Sequence, residues 1–211
     1  MIRIVTVLKS GGEYTYKHVE ALKQMCAEHA GIEHEFVCLS DIRRTDVIPL
    51  TENWPIWWSK MEMFKLQGPC IYFDLDTIIC GSLKESADLA KRVPFAILRD
   101  AYRGKHDPYA MQSSVMMWSG NMRPLYTVFS VDAKRYMQER GGDQAFIERV
   151  LRTTTYIQDE LPGQYVSYKV DVRGKGIPRY ARVIFFHGHP RPWEQDEVPY
   201  DYDDRRLVHT G

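Results

Sequence analysis

The chain has 211 residues, 28 Lys or Arg against 28 Asp or Glu, and 44% hydrophobic content, so one sizeable core in a single domain is expected. Balanced charge gives no general reason to bind nucleic acid or an anionic membrane, and no apolar run approaches the roughly 20 residues of a membrane span. Cys26, Cys38, Cys70 and Cys80 are scattered without Cys-x-x-Cys spacing, which argues against a metal cluster or disulfide framework and for reduced thiols in the cytoplasm.

Ile2 to Leu8 is β-branched and reads as a buried strand that starts without a signal-peptide pattern. Lys9-Ser-Gly-Gly-Glu13 follows as a turn. Its glycines would admit a phosphate, but it matches no phosphate-loop motif and a plain turn is expected. Helical spacing runs from Tyr14 to Ala30, with Val19, Leu22 and Cys26 on one face and Gly31 as the stop. His34 to Leu39 is a second strand, completing a strand–helix–strand opening typical of an α/β fold.

A polar stretch leads to Trp54-Pro-Ile-Trp-Trp-Ser-Lys60, which enters a short helix from about Trp57 to Leu66, its tryptophans expected in the core. Ile71-Tyr-Phe73 is a buried strand, and Ser82 to Arg92 an outer helix. Phe95 to Leu98 and Ser114 to Trp118 are strands on either side of a polar loop, 99–112, predicted to lie over the site. Helices are expected at Arg123 to Phe129, Ala133 to Glu139 and Gly141 to Leu151, with Asp143 in the N-cap region of the last. Tyr165 to Val172 reads as extended, and Ala181 to Phe186 as the last core strand, ending at His187-Gly-His-Pro-Arg-Pro-Trp193. A polar tail covers 195–211, leaving 1–194 as the domain.

The chemistry centres on Asp74-Leu75-Asp76, just past a buried strand. Continued as an extended chain, that strand would send both carboxylates to one side, where they repel unless a proton or cation lies between them. The carboxyl end of a strand is also where open α/β sheets bind ligands. With His187 at the end of another strand, the pair makes a set suited to Mn²⁺, with Mg²⁺ as the other choice. Gly188 permits close backbone approach, and the planar fork of Arg191 suits a phosphate.

Asp74-Leu-Asp76, Asp143-Gln144 and His187-Gly-His-Pro-Arg-Pro-Trp193 resemble the nucleotide-sugar-dependent glycosyltransferases of the GT-A fold. The resemblance is to the family-8-like group that includes glycogenin and bacterial galactosyltransferases, and it spans residues 1 to about 194. In this chain Gly188 follows His187 directly, and Arg191 stands where the family usually has Lys. The resemblance implies a single GT-A (Rossmann-like) α/β domain with a mixed central sheet, and transfer of a sugar from a nucleotide-sugar donor, a UDP-sugar favoured. It implies a Mn²⁺ or Mg²⁺ ion on Asp74, Asp76 and His187. Tyr14 would stack the base with Leu8 and Lys9 beside it, and Lys60, Leu75, Gly188 and Arg191 would approach the donor. Asp143 and Gln144 would stand at the reaction centre.

Two other readings compete. Phe73-Asp-Leu-Asp-Thr77 partly matches a haloacid-dehalogenase-type phosphatase, with Asp74 as nucleophile. That family opens on this motif, whereas a strand–helix–strand unit precedes it here, and the one Asp-Asp pair, Asp203-Asp204, sits in the polar tail. A sugar- or nucleotide-binding module that has lost catalysis is the other, and the joint presence of Asp74-Leu-Asp76, Asp143-Gln144 and His187 argues against it, since a degenerate protein tends to lose some of them.

Overall fold

The computed structural model describes residues 1–151 and 154–200. The chain opens as β1 (Ile2–Leu8), α1 (Tyr16–His29) and β2 (His34–Ser40), the expected strand–helix–strand unit. A two-residue strand β3 (Ile48–Pro49) precedes a 3-10 helix over Ile56–Lys65, followed by β4 (Cys70–Phe73), β5 (Ile78–Ile79) and α2 (Lys84–Arg92). Next come β6 (Phe95–Arg99), β7 (Met111–Trp118), α3 (Arg123–Val131), α4 (Ala133–Gln138) and α5 (Gly142–Val150). β8 (Thr155–Tyr156), α6 (Ile157–Glu160), β9 (Tyr165–Ser167) and β10 (Val183–Phe185) follow, and a short 3-10 helix over Pro192–Glu194 comes after β10.

Seven strands form one mixed sheet in the order β3-β2-β1-β4-β7-β6-β8. The strands from β3 to β4 are parallel, β7 runs antiparallel between β4 and β6, and β8 is parallel to β6. A smaller sheet, β5-β10-β9, carries the chain into His187. Alternation of side chains divides the core into two layers. Ile4, Leu8, Ile71 and Phe73 face α1, α2 and the small sheet, while Val5, Val7, Cys70 and Tyr72 face the 3-10 helix, α3 and α5. Burial on both faces explains why these strands read as continuous apolar runs.

Trp54 and Trp58 pack on Phe129 of α3, with ring centroids 4.7 and 5.2 Å apart, as expected of core tryptophans. Trp57, between them, is 47% exposed. β7 begins three residues before the expected Ser114, because Gln112, Ser113 and Ser114 are polar yet buried and bonded inside the fold. The expected extended run to Val172 ends at Ser167. There the Asp171 carboxylate accepts from Ser167 N at 2.8 Å, and Ser167 Oγ accepts from Val170 N, turning the chain into one helical turn. Val198 is buried in the first core layer, so packed chain continues past Trp193. Asp203, Asp204, Arg205 and Arg206 lie outside the described residues. No helix among the described residues is long and apolar enough to cross a membrane.

Candidate active site

A cleft of about 810 Å³ opens at the carboxyl ends of β1 and β4, within the range of roughly 300–1,000 Å³ usual for small-molecule sites. Its walls are the turn after β1, the start of the 3-10 helix, the Asp-Leu-Asp turn, the first residues of β7 and α5, and the segment after β10. All twelve residues singled out by sequence reasoning line it: Leu8, Lys9, Tyr14, Lys60, Asp74, Leu75, Asp76, Asp143, Gln144, His187, Gly188 and Arg191.

β4 stops at Phe73, and Thr77 N donates to Asp74 O at 3.1 Å, so Asp74 to Thr77 is a turn rather than more strand. The extended-chain argument for the two carboxylates therefore does not hold, yet the turn delivers both to the same cleft. Each carboxylate has found its own side-chain cation. Lys60 Nζ donates to Asp74 Oδ1 at 3.0 Å, and Tyr72 Oη donates to the same oxygen at 2.5 Å. Arg191 pairs with Asp76 Oδ2, which also accepts from Tyr14 Oη at 2.9 Å. Burial, and after it the charge of Asp74, push the Asp76 carboxyl up to about 6 against the pull of Arg191 and Tyr14.

Lys60 reaches further than Asp74. Its ammonium lies 3.1 Å from Asp143 Oδ2, and Ser113 Oγ donates to that same oxygen at 2.7 Å. Burial alone would depress the Lys60 ammonium, but Asp143 and then Asp74 outweigh it and hold the pKa above its usual value. Asp143 is 6% exposed and is not a helix cap: Gly141 occupies that position, and the Asp143 side chain turns into the cleft. Gln144 follows it on α5 and also lines the cleft.

His187 stands at the cleft wall with Nε2 2.9 Å from Ser167 Oγ and its ring edge-on to Tyr102, centroids 5.0 Å apart. Burial first, and then Lys169, lower its pKa, which favours the neutral imidazole a metal ligand requires. Its ring nitrogen is engaged with Ser167, however. Among the described residues no three His, Cys, Asp or Glu side chains stand together so as to hold a metal ion. Asp74 and Asp76 by themselves are oxygen donors of the kind a hard cation takes. Thr77 Oγ1 and Arg191 Nε, flanking Asp76, are buried without a hydrogen-bond partner. Of the two, Arg191 lines the cleft and an oxygen-rich ligand there would offer it an acceptor, whereas Thr77 does not line it.

The turn after β1 is tied to β2 through Asp41, which accepts from Lys9 Nζ and Ser10 N, both at 2.8 Å. Burial would raise the Asp41 carboxyl, but Lys9 and Ser10 outweigh it and hold it at about 2. Leu8 is fully buried, and Leu75 is 5% exposed in the first core layer. The Tyr14 ring, expected beneath a base, lies edge-on to His18 and Trp193, with the Arg191 guanidinium 5.3 Å from its centre. Gly188 has φ +66°, a left-handed backbone that suits glycine, and the Lys169 ammonium is 3.7 Å from where a Cβ would stand.

Sequence reasoning missed Glu13, which pairs with Arg191, as well as Tyr72, Ser113, Lys169 and the exposed side of Trp57. Tyr72 had a signal, since it lies two residues before Asp74 on the same side of the strand. The others are brought in by tertiary packing, which no local spacing encodes.

No protein-family profile matches the chain, and no curated protein matches it in sequence. The backbone does have counterparts. The glycosyltransferase GlyE of Streptococcus pneumoniae TIGR4 superposes with a TM-score of 0.68 at 12% identity, over 93% of this chain and 57% of GlyE. The galactosyltransferase LgtC, solved with donor and acceptor sugar analogues, superposes with a TM-score of 0.62 at 12% identity, over 93% of this chain and 91% of LgtC. This is the fold of the GT-A glycosyltransferases. Mouse xyloside xylosyltransferase 1 shares it at a TM-score of 0.52 and 12% identity, over 90% of this chain and 98% of that one. The chain thus spans little more than half of GlyE but nearly the whole of two other GT-A structures.

Proposed function

We propose that the cleft transfers a sugar from a nucleoside-diphosphate donor, a UDP-sugar favoured, to an acceptor hydroxyl. The observation that carries this reading is the unbroken chain Asp74–Lys60–Asp143, with contacts of 3.0 and 3.1 Å, in a cleft of a GT-A fold. It links the carboxylates suited to a diphosphate's metal to a carboxylate suited to the sugar. Asp74 and Asp76 would hold Mn²⁺ or Mg²⁺, and His187 would join as third ligand by giving up Ser167. When bound, the ion would take up negative charge growing on the departing diphosphate.

The chain's own groups do the rest. Arg191, and Lys169 beside Gly188, would meet the same phosphates, adding positive charge where the transition state needs it. Leu8, Lys9 and Tyr14 would border the nucleoside, and the backbone at Gly188 would admit the diphosphate. Asp143 would face the sugar carbon as positive character grows there, with Gln144 beside it. In this reading residues 1–194 are the transferase domain and act on a substrate reached from the cytoplasm.

Titration calorimetry with UDP and Mn²⁺, together with donor hydrolysis, tests this reading. Asp143→Asn should slow turnover by about a hundredfold while changing UDP affinity little. Absence of metal-dependent turnover of any UDP-, GDP- or dTDP-sugar would overturn the proposal, and phosphate release from a phosphomonoester would return Asp74 to the role of nucleophile.

A further inference from the structure

The Trp57 side of the cleft has a different character from the rest. Trp54 and Trp58 are spent on Phe129, whereas Trp57 is 47% exposed, lines the cleft and has no ring partner among the described residues. It is held against the turn that delivers Asp143. The ring atom Nε1 lies 3.0 Å from where a Cβ on Gly142 would stand, and Gly142 has φ +67°. A side chain there would displace the indole, so glycine lets it lie beside Asp143. Ile56, 61% exposed on the same wall, has φ +48°, which a β-branched residue rarely adopts.

The chemistry of this wall is mixed. Ile56 and Trp57 supply apolar surface, and Asn53 and Gln144 supply amide groups on the same cleft. Among the described residues the cations on this side are already engaged: Lys60 is shared by Asp74 and Asp143, and Lys9 donates to Asn53 Oδ1 at 3.0 Å and to Asp41 at 2.8 Å. An anionic ligand would find no unpaired positive charge here, and a long hydrocarbon would leave the Gln144 amide facing an apolar chain. A pyranose ring fits both features, because it has an apolar face of C–H groups and a rim of hydroxyls.

We propose that Trp57 is the stacking platform for a neutral sugar ring of the acceptor, placing an acceptor hydroxyl beside Asp143. The acceptor is then a glycoside or oligosaccharide rather than a charged or purely lipid molecule. This rests on the glycosyl-transfer reading above.

Saturation-transfer NMR on the full chain with UDP present is the test. The probes are the methyl glycosides of glucose and galactose, lactose, maltose and cellobiose, with glucuronic acid and glucose 6-phosphate as charged counterparts. At least one neutral probe should show saturated ring C–H protons, Trp57→Ala should lower its affinity by about tenfold, and Trp57→Phe should restore most of it. Equal binding to the wild type and Trp57→Ala, binding of the charged probes alone, or no neutral probe bound while UDP binds would each overturn the proposal. Circular dichroism and the denaturation midpoint of each variant establish that it has folded. UDP calorimetry on the wild type is read separately: its failure removes the donor reading, while Trp57-dependent binding of a glycoside would still register.

Discussion

Asp76 is 3% exposed, and its charge is supported by Arg191 and Tyr14 rather than by water. Burial and the neighbouring Asp74 raise its pKa to about 6, so the folded chain holds that proton more tightly than an unfolded chain would. The stability contributed by this group is therefore present below the ordinary carboxylate range and is lost as pH rises through about 6. Asp76→Asn has nothing to titrate at this position. Its urea midpoint should rise relative to the wild type on going from about pH 4 to about pH 7.5, even though donor binding is lost. A constant difference between the two proteins across that range would mean that Asp76 titrates as an ordinary carboxylate. The residue that serves the site would then carry no cost in stability at neutral pH.

At the scale of the element, the 3-10 helix over Ile56–Lys65 does two jobs: its inner face fills the core with Trp58, Met61 and Phe64, and its start borders the cleft. The strain sits at that start. Ile56→Gly should stabilise the fold by about 1 kcal/mol in a denaturant titration, since a left-handed isoleucine costs more than the surface it covers here. No gain would mean that the surrounding chain already accommodates the isoleucine. The existence of this helix was legible from the spacing of Met61 and Phe64, as was α1 from that of Val19, Leu22 and Cys26, and β1 and β4 from their apolar runs. The exposure of Trp57 was not, because adjacent tryptophans look alike until α3 takes up two of them. β3, β8 and α6 span two to four residues, too few to show any period.

Across the whole molecule, Lys60 ties together three parts of the fold: its own helix, the end of β4 through Asp74, and α5 through Asp143, with Ser113 of β7 beside it. Lys60→Met would leave Asp143 buried without its cation, at a cost of about 3 kcal/mol or more in unfolding free energy. A loss below about 1 kcal/mol would place Lys60 among the surface lysines in energetic terms. The succession of the longer strands along the chain and the meeting of Asp74, Asp143 and Arg191 in one cleft were legible in outline, since each ends or follows an element that the periodicity marks; the order of strands in the sheet was not. Which cation pairs with which carboxylate was not, because those partners stand 14 to 178 residues apart.

Arg191 holds both Asp76 and Glu13 before any substrate arrives, and Trp193 anchors the same segment against His18 at 4.3 Å. An incoming phosphate meets a guanidinium whose two terminal nitrogens are already paired, with only Nε left over, so gaining the planar fork requires an exchange of partners. A lone inorganic phosphate would break two ion pairs to make one. A nucleoside diphosphate has further contacts to offer along the cleft, and those can tip the exchange. On the proposed reading the latch would thus work as a threshold that small anions alone do not pass and a nucleoside diphosphate does.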